Sequence, residues 1–441
     1  MGEYAFIGRQ PVFDRAHRTT AYELFVRDGA DDLRPFGDRD RAARRLISAV
    51  VLRVGLDELV GGRTVWIPVT ASLMAEGLHS RLPARRTVLV LPMSSWQNET
   101  LNDSILKARR AGYRIALDAS TPTAGFSGEH LMEAAAKLGA LRHLDAVKLG
   151  TDWLPQHEWE PWAVQLARQS ILSVATGVDS RQTAALCGAF DLIQGRFAFD
   201  VAPTDGGPRV DRLAAMQLIS QLECPDVSFE DIERLITHDP SLSVRVLLLA
   251  NSGLYALARR MDTVRGALVI LGMRNVRQMV LALTLSSLKG VNAELTATAL
   301  VRARMCETVA PFVNGRADAG FTVGLLSLLD VFSGKPLQQS LAELPLTAEI
   351  RDAIAVGEGP LGLALRCVMA CEQGRIAELA TTVAPGRVLP TVEMLTESYE
   401  RAVNWAERIR SGEHITVTSE AIDQPPQYSR SNSSAAVQQR R

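Results

Sequence analysis

Eight short apolar runs alternating with helix-like stretches fill the first 205 residues, and no other feature constrains the fold as tightly. The runs fall at residues 5–9, 21–27, 64–69, 87–91, 113–118, 146–149, 171–176 and 192–194. Several are almost wholly apolar, Val88-Leu89-Val90-Leu91 most clearly. That is the pattern of a strand covered on both faces by helices. Helical periodicity lies between the runs, at 40–54, 98–111, 129–138 and 181–187. Strands and helices in this alternation predict a (β/α) barrel with its chemistry at the carboxyl ends of the strands. An open doubly wound sheet is the alternative.

At Pro203-Thr204-Asp205-Gly206-Gly207-Pro208 the alternation stops, and the crowding of proline and glycine marks a linker. The expected division is an α/β domain over 1–205, an all-helical domain over 206–411 and a disordered tail over 412–441 rich in Ser, Gln and Pro. In the second half Asp239-Pro240 reads as a helix start, because Asp caps free amides and Pro suits the first turn. Asn251-Ser252-Gly253 supplies the stop. Thr263 caps a second helix carrying Val264, Ala267, Leu268 and Leu271, closed by Gly272. A third opens at Asn275. Further helices are expected at 293–313, 320–332, 347–356, 361–373 and 390–411.

Composition narrows the function. An apolar content of 47% describes a folded chain with ample core, and a net charge of -1 over 441 residues excludes a surface that is basic throughout. The N-terminus has neither a basic segment nor a long apolar one, so no secretory signal is expected. No stretch of roughly 20 uninterrupted apolar residues is expected to span a membrane, since the most apolar region carries Arg265, Arg274 and Arg277. Five cysteines, an odd number, fit a reducing cytoplasm. Cys367 and Cys371 share a helix face without the further ligands zinc requires. The histidines at 17, 79, 130, 143 and 157 show no ligand spacing and are expected in loops or on helix surfaces.

Arg9-Gln10-Pro11-Val12-Phe13-Asp14 followed by Tyr22-Glu23-Leu24-Phe25-Val26-Arg27 resembles the opening of EAL domains, and within them the two-domain EAL–HDOD bacterial signalling proteins of the YuxH type. Asp239-Pro240-Ser241-Leu242, Asn251-Ser252, Ala267 and Leu271-Gly272 match the HDOD pattern, and 325–346 resembles its extended form. The resemblance covers the chain to about residue 410 and implies an EAL-type barrel followed by an HD-like helical domain. Active EAL domains hydrolyse cyclic di-GMP with two Mg²⁺ or Mn²⁺ ions.

Carried over residue by residue, the resemblance implies that Glu23, Arg27, Asp118, Lys148 and Gln194 keep family positions. It also implies that ligands or the general base are lost at Pro68, Val90, Ala119, Gly150 and Thr176. Pro, Val and Ala offer no side-chain oxygen, and a threonine hydroxyl is a poor base. A catalytically inactive barrel with no metal cofactor is therefore expected. The survivors permit two readings, a metal-free pocket in which Arg27 and Lys148 hold cyclic di-GMP, or an ion-pair network plugging the barrel mouth, and the second is preferred. A weak phosphodiesterase would need other ligands, with Glu76, Glu99 and Asp103 as candidates.

His238-Asp239 resembles a metal-binding His-Asp pair, but Asp239 is better explained as a helix cap. HDOD domains resemble HD folds without their metal ligands. Between Arg234 and Arg316 arginines outnumber acids, read as a solvated face without the aromatic interleaving of a nucleic-acid surface. The expected function is a non-enzymatic, cytoplasmic signal-transduction regulator. Its barrel senses or docks, and its HDOD domain engages a protein partner or a second copy, with no membrane and no nucleic acid.

Overall fold

The computed structural model describes residues 6–27, 39–51, 55–97, 101–121, 140–199, 218–219, 221–222, 226–251, 261–286, 292–373 and 389–411. The predicted helix at 129–138, the linker at 203–208 and the tail lie outside them.

All eight predicted strands are present: β1 (Phe6–Asp14), β2 (Thr19–Arg27), β3 (Thr64–Pro68), β4 (Thr87–Pro92), β5 (Arg114–Ala119), β6 (Ala146–Gly150), β7 (Leu172–Thr176) and β8 (Leu192–Gln194). They close into a barrel in chain order, which removes the open-sheet alternative. β1 runs antiparallel to both β2 and β8, whereas β2 through β8 are parallel. β1 and β2 are joined by a tight turn, where the Asp14 carboxylate accepts from the amides of Ala16 and Arg18. Parallel neighbours need longer crossovers. Those crossovers carry α1 (Arg39–Ala49), α2 (Leu56–Val60), α3 (Ala71–Glu76), α4 (Leu101–Arg110), α5 (Gln156–Arg168) and α6 (Arg181–Leu186). A hairpin carries no such helix, and since α1 packs on β2 it is the outer side of β1 that has to be covered by something else.

Alternate residues face opposite sides of each strand. Val12, Ala21, Trp66, Val88, Val90, Ala116, Ala146, Val174 and Leu192 fill the barrel, and Leu24, Ile67, Leu89, Ile115, Val147 and Ala175 pack outward. α5 is absent from the sequence expectation because Pro161 lies inside it. Trp159, Trp162, Ala163 and Leu166 are buried at the i, i+3, i+4, i+7 spacing, and this apolar stripe holds the helix despite the proline.

The second half is helical wherever it is described, as α7 (Phe229–His238), α8 (Pro240–Ala250), α9 (Val264–Ser286), α10 (Ala293–Val309), α11 (Ala317–Leu326), α12 (Leu329–Ser333), α13 (Leu337–Ala342), α14 (Ala348–Ala355), α15 (Gly359–Gln373) and α16 (Val392–Ser411). α7 was not expected. A capping box fixes its start, with Ser228 and Asp231 each satisfying the other's backbone amide. The two helices expected at 263–272 and 275 onward are both present, separated at Gly272, whose φ of 81° breaks the helical path, and are labelled together as α9. Val264–Ser286 and 348–373 are long and apolar enough to cross a membrane by length and composition, contrary to the sequence expectation. Their inward residues, among them Val276, Met279, Val280, Leu361 and Cys367, belong to the core of the helical domain.

The helical domain supplies the cover that β1 lacks. α16 packs on β1 and α2, and α10 reaches the turn after β8. The contact is polar and buried. Tyr22 donates its hydroxyl to Glu294 Oε2 at 2.8 Å, and Arg9 donates to Glu407 Oε1 at 3.0 Å. Glu407 also receives Arg63 at 3.2 Å and Arg410 at 3.1 Å, while the Arg9 guanidinium lies 4.4 Å above the Tyr22 ring.

Candidate functional site at the barrel mouth

The strand registers decide which inward residues meet at the carboxyl ends. They set Pro68 beside Val90, Pro92 beside Asp118, Asp118 beside Lys148 and Gly150 beside Thr176. Glu23 comes from β2 and Gln194 from β8. Glu23, Lys148, Thr176 and Gln194 are all buried.

Glu23 is fully engaged by the protein. Lys148 Nζ donates to its two carboxylate oxygens at 2.9 and 2.7 Å, and Gln194 Nε2 donates to Oε2. Asp118 Oδ1 accepts from the Ser120 amide at 3.0 Å and from the Ser120 hydroxyl. Burial alone pushes the Asp118 carboxyl up, but the Lys148 charge and the Ser120 hydrogen bonds hold it below the usual carboxylate range. Burial likewise opposes the Lys148 charge, and the carboxylates of Glu23 and Asp118 outweigh it and raise the ammonium above its ordinary value. The structure therefore brings four of the five retained positions together as one network. Arg27 ends β2, and its side chain lies outside the described residues.

The altered positions have structural consequences. Pro68 and Val90 face the mouth without an oxygen. Thr176 is buried and donates its hydroxyl to the Leu149 carbonyl at 3.1 Å, and a hydroxyl is a poor base in place of a carboxylate. At Gly150 a Cβ would stand 2.2 Å from the Ser120 carbonyl oxygen and 2.6 Å from the Trp153 ring, which leaves no room for an aspartate. The Trp153 indole N–H donates to that same carbonyl at 2.9 Å. Ala119 packs outward with the core under the helices, away from the mouth.

What remains at the mouth is a cavity of about 210 Å³, with walls from α1 and from Pro68, Val69, Val90, Pro92 and Asp118. Ligand sites usually occupy roughly 300–1,000 Å³. Two hard divalent cations need several converging oxygens. The described residues contain no group of three or more His, Cys, Asp or Glu side chains arranged for a metal, and the mouth does not fit the pair of ions. Of the substitute ligands, Glu76 bridges to Arg44 on the surface, Asp103 lies in the first turn of α4, and Glu99 is outside the described residues.

Elsewhere, His238 is exposed with its ring on the Arg234 carbonyl, and Asp239 accepts from the Leu242 amide at 3.1 Å as the cap predicts. His79 departs from expectation. It is buried against Tyr113 rather than on a surface, because the turn after α3 folds onto that ring, and the Tyr113 hydroxyl donates to the His79 carbonyl at 2.8 Å. The arginine-rich stretch is not uniformly solvated, since Arg302 is buried in an ion pair with Glu372 at 2.9 Å. Cys187, Cys306, Cys367 and Cys371 are buried thiols, as a core role requires.

These groups set a pH window. Burial pushes the His79 imidazole down, so folding disfavours its proton and stability falls as pH drops below 6.5. Burial opposes ionisation of Glu407, but Arg9, Arg410 and Arg63 hold its carboxyl low. The stability it adds is complete above 4.5 and fades as pH falls through its folded value. On the alkaline side burial pushes the Cys187 and Cys367 thiols up to about 11, so their contribution begins to fade above their ordinary value of 9.0. Lys148 follows above 10.5. Urea midpoints measured against pH are expected to be highest between 6.5 and 9.0, given these ordinary values. A maximum near pH 5 would contradict the assignment.

The residues that tie the domains together, Arg9, Tyr22, Glu294 and Glu407, were not among the sequence candidates. The one available signal was local: Arg9 and Tyr22 lie on the outward side of a hairpin that has no crossover helix.

Residues 212–336 match the HDOD domain family. The uncharacterized protein YuxH of Bacillus subtilis is 25% identical over 362 residues, covering 79% of this chain and 86% of YuxH. The cyclic di-GMP phosphodiesterase CdgJ of Vibrio cholerae is 26% identical over 374 residues, covering 82% of this chain and 83% of CdgJ. Among solved structures, a calcium and cyclic di-GMP complex of Klebsiella pneumoniae BlrP1 aligns with 43% of this chain and 54% of its own, at 16% identity and a TM-score of 0.35. An EAL domain protein from Listeria monocytogenes aligns with 44% of this chain and 86% of its own, at 14% identity and a TM-score of 0.35. The residues that match the HDOD family thus follow a closed eight-stranded barrel in the chain.

Proposed function

We propose that this chain is a non-enzymatic signal-transduction regulator whose barrel serves as a sensing and docking platform and whose HDOD domain engages a protein partner. The observation that carries the reading is the state of Glu23. Both of its oxygens are held by Lys148, so the first position of the metal set is spent on an internal ion pair. Pro68, Val90 and the crowding at Gly150 support the same reading. A cytoplasmic setting is part of the proposal and accords with the buried thiols.

The relative CdgJ is named a cyclic di-GMP phosphodiesterase, which makes metal-dependent cleavage the rival to test. Calorimetric titration of the full chain with cyclic di-GMP, with and without Mn²⁺ and with product analysis, separates the readings. No binding at the mouth and no product is the expected result. Binding without product, weakened by Lys148→Met, would make the barrel a receptor instead. Mn²⁺-dependent product would overturn the proposal.

A further inference from the structure

Ten large apolar side chains are exposed among the described residues, and five of them crowd onto α8 and α9, which pack on each other. Val244 and Leu248 lie on α8. Val269 and Ile270 lie on the first part of α9, and Met273 just past its break at Gly272. Single exposed apolar residues are ordinary, whereas a cluster marks a contact surface. α8 makes the point most directly. Leu242, Val246, Leu249 and Ala250 bury one face in the domain core, yet Val244 and Leu248 make the other face apolar too. A helix that is apolar all round is normally covered all round.

Two charges beside these residues lack partners. Arg245 sits between Val244 and Leu248 on the same face of α8 and is half-buried. Its guanidinium makes no hydrogen bond or ion pair among the described residues. Burial pushes it below its ordinary value, and the Asp239 charge only partly offsets this. Arg265, by contrast, already pairs with Glu233 at 3.0 Å. Asp262, just ahead of α9, is exposed and also makes no hydrogen bond or ion pair among the described residues. Asn251 holds that turn beside the end of α8. Its side chain accepts from the Met261 amide at 2.6 Å and donates to the carbonyls of Leu247 and Met261, each at 2.8 Å.

An apolar centre flanked by one unpaired cation and one unpaired anion complements itself. In a two-fold contact both subunits offer the same patch, so each copy's cation can meet the other's anion. A patch bearing only the cation would repel its own copy. A face that lies on a membrane favours Trp and Phe, and the exposed set here is Val, Leu, Ile and Met. We propose that α8 of one copy packs on the first part of α9 of a second copy. Val244 and Leu248 then meet the partner subunit's Val269 and Ile270, and Arg245 bridges to the partner subunit's Asp262. The proposal rests on the reading of the HDOD domain as an interaction module and names a second copy as what it engages.

The test is sedimentation equilibrium of the full chain at several concentrations, where a reversible monomer–dimer transition is expected. Val269→Glu is expected to weaken association at least about tenfold without moving the melting profile, because Val269 is 68% exposed. Arg245→Glu and Asp262→Arg each set like charges across the contact, and each is expected to weaken association about tenfold. The double variant restores the pair with its signs exchanged and is expected to recover to within about threefold. Because Asp262 is exposed, Asp262→Arg stays informative even if Arg245→Glu disturbs α8. A dimer indifferent to Val269→Glu and Asp262→Arg would overturn the proposal. A chain monomeric at every concentration would overturn it too. If that monomer sediments with phosphatidylglycerol vesicles, the face belongs to a membrane and the interaction-module reading falls with the proposal. If it does not, the face belongs to a different protein and that reading stands.

Discussion

Glu407→Ala is expected to destabilise the chain by about 3–5 kcal/mol, read as a fall in the urea midpoint. Three guanidiniums converge on this carboxylate, from Arg9, Arg63 and Arg410. The Arg9 side chain is only 5% exposed, so removing its partner strands a positive charge that water does not reach. Arg63→Ala is the comparison. Its side chain is 26% exposed and Glu407 retains two other partners, so the expected loss is about 1 kcal/mol or less. A loss from Glu407→Ala no larger than that from Arg63→Ala would mean that the guanidiniums remain hydrated and the junction does not depend on this cluster. The outer face of β1 gives the result a wider meaning. This strand is followed by no crossover helix and α16 packs on it, so loosening α16 exposes part of the barrel, and the two domains are expected to lose stability together.

Glu23→Leu is expected to cost a similar amount, about 3–5 kcal/mol, because it leaves Lys148 buried beside Asp118 with its nearest counter-charge gone. Gln194 also loses one of its two amide acceptors and keeps Gln10 Oε1 at 3.4 Å. The informative variant is the double one. Glu23→Leu with Lys148→Met removes both charges and fills the space with apolar groups, and a buried pair replaced in this way is often neutral or better. Recovery to within about 1–2 kcal/mol of the unaltered chain is expected by urea titration, together with retained partner binding. If the double variant is stable but loses a ligand that the unaltered chain binds, the mouth holds that ligand and the plug reading fails.

Much of the barrel was legible in the chain because its signals are local. A strand buried on both faces must be apolar throughout, so Val88-Leu89-Val90-Leu91 declared itself, as did the cap at Asp239. The missing oxygens at Pro68 and Val90 were equally legible, since residue type alone decides whether a side chain can hold a cation. Local propensity failed where tertiary burial overruled it. Pro161 hid α5, and His79 carried no sign that it would be packed under Tyr113.

The retained site residues could be named from the sequence, but their roles could not. Whether Glu23 serves a metal or a lysine depends on β2 and β6 facing the same mouth, and the two residues are 125 positions apart. Arg9 and Glu407 are separated by 398 positions and meet only because an antiparallel hairpin leaves one side of the barrel open to a helix from the other domain. The sequence by itself determined most of the elements and the side-chain chemistry available at each position, because those follow from side-chain type and short-range period. Only the tertiary structure decided which charges neutralise one another, since barrel closure and domain docking bring together groups that no local pattern relates.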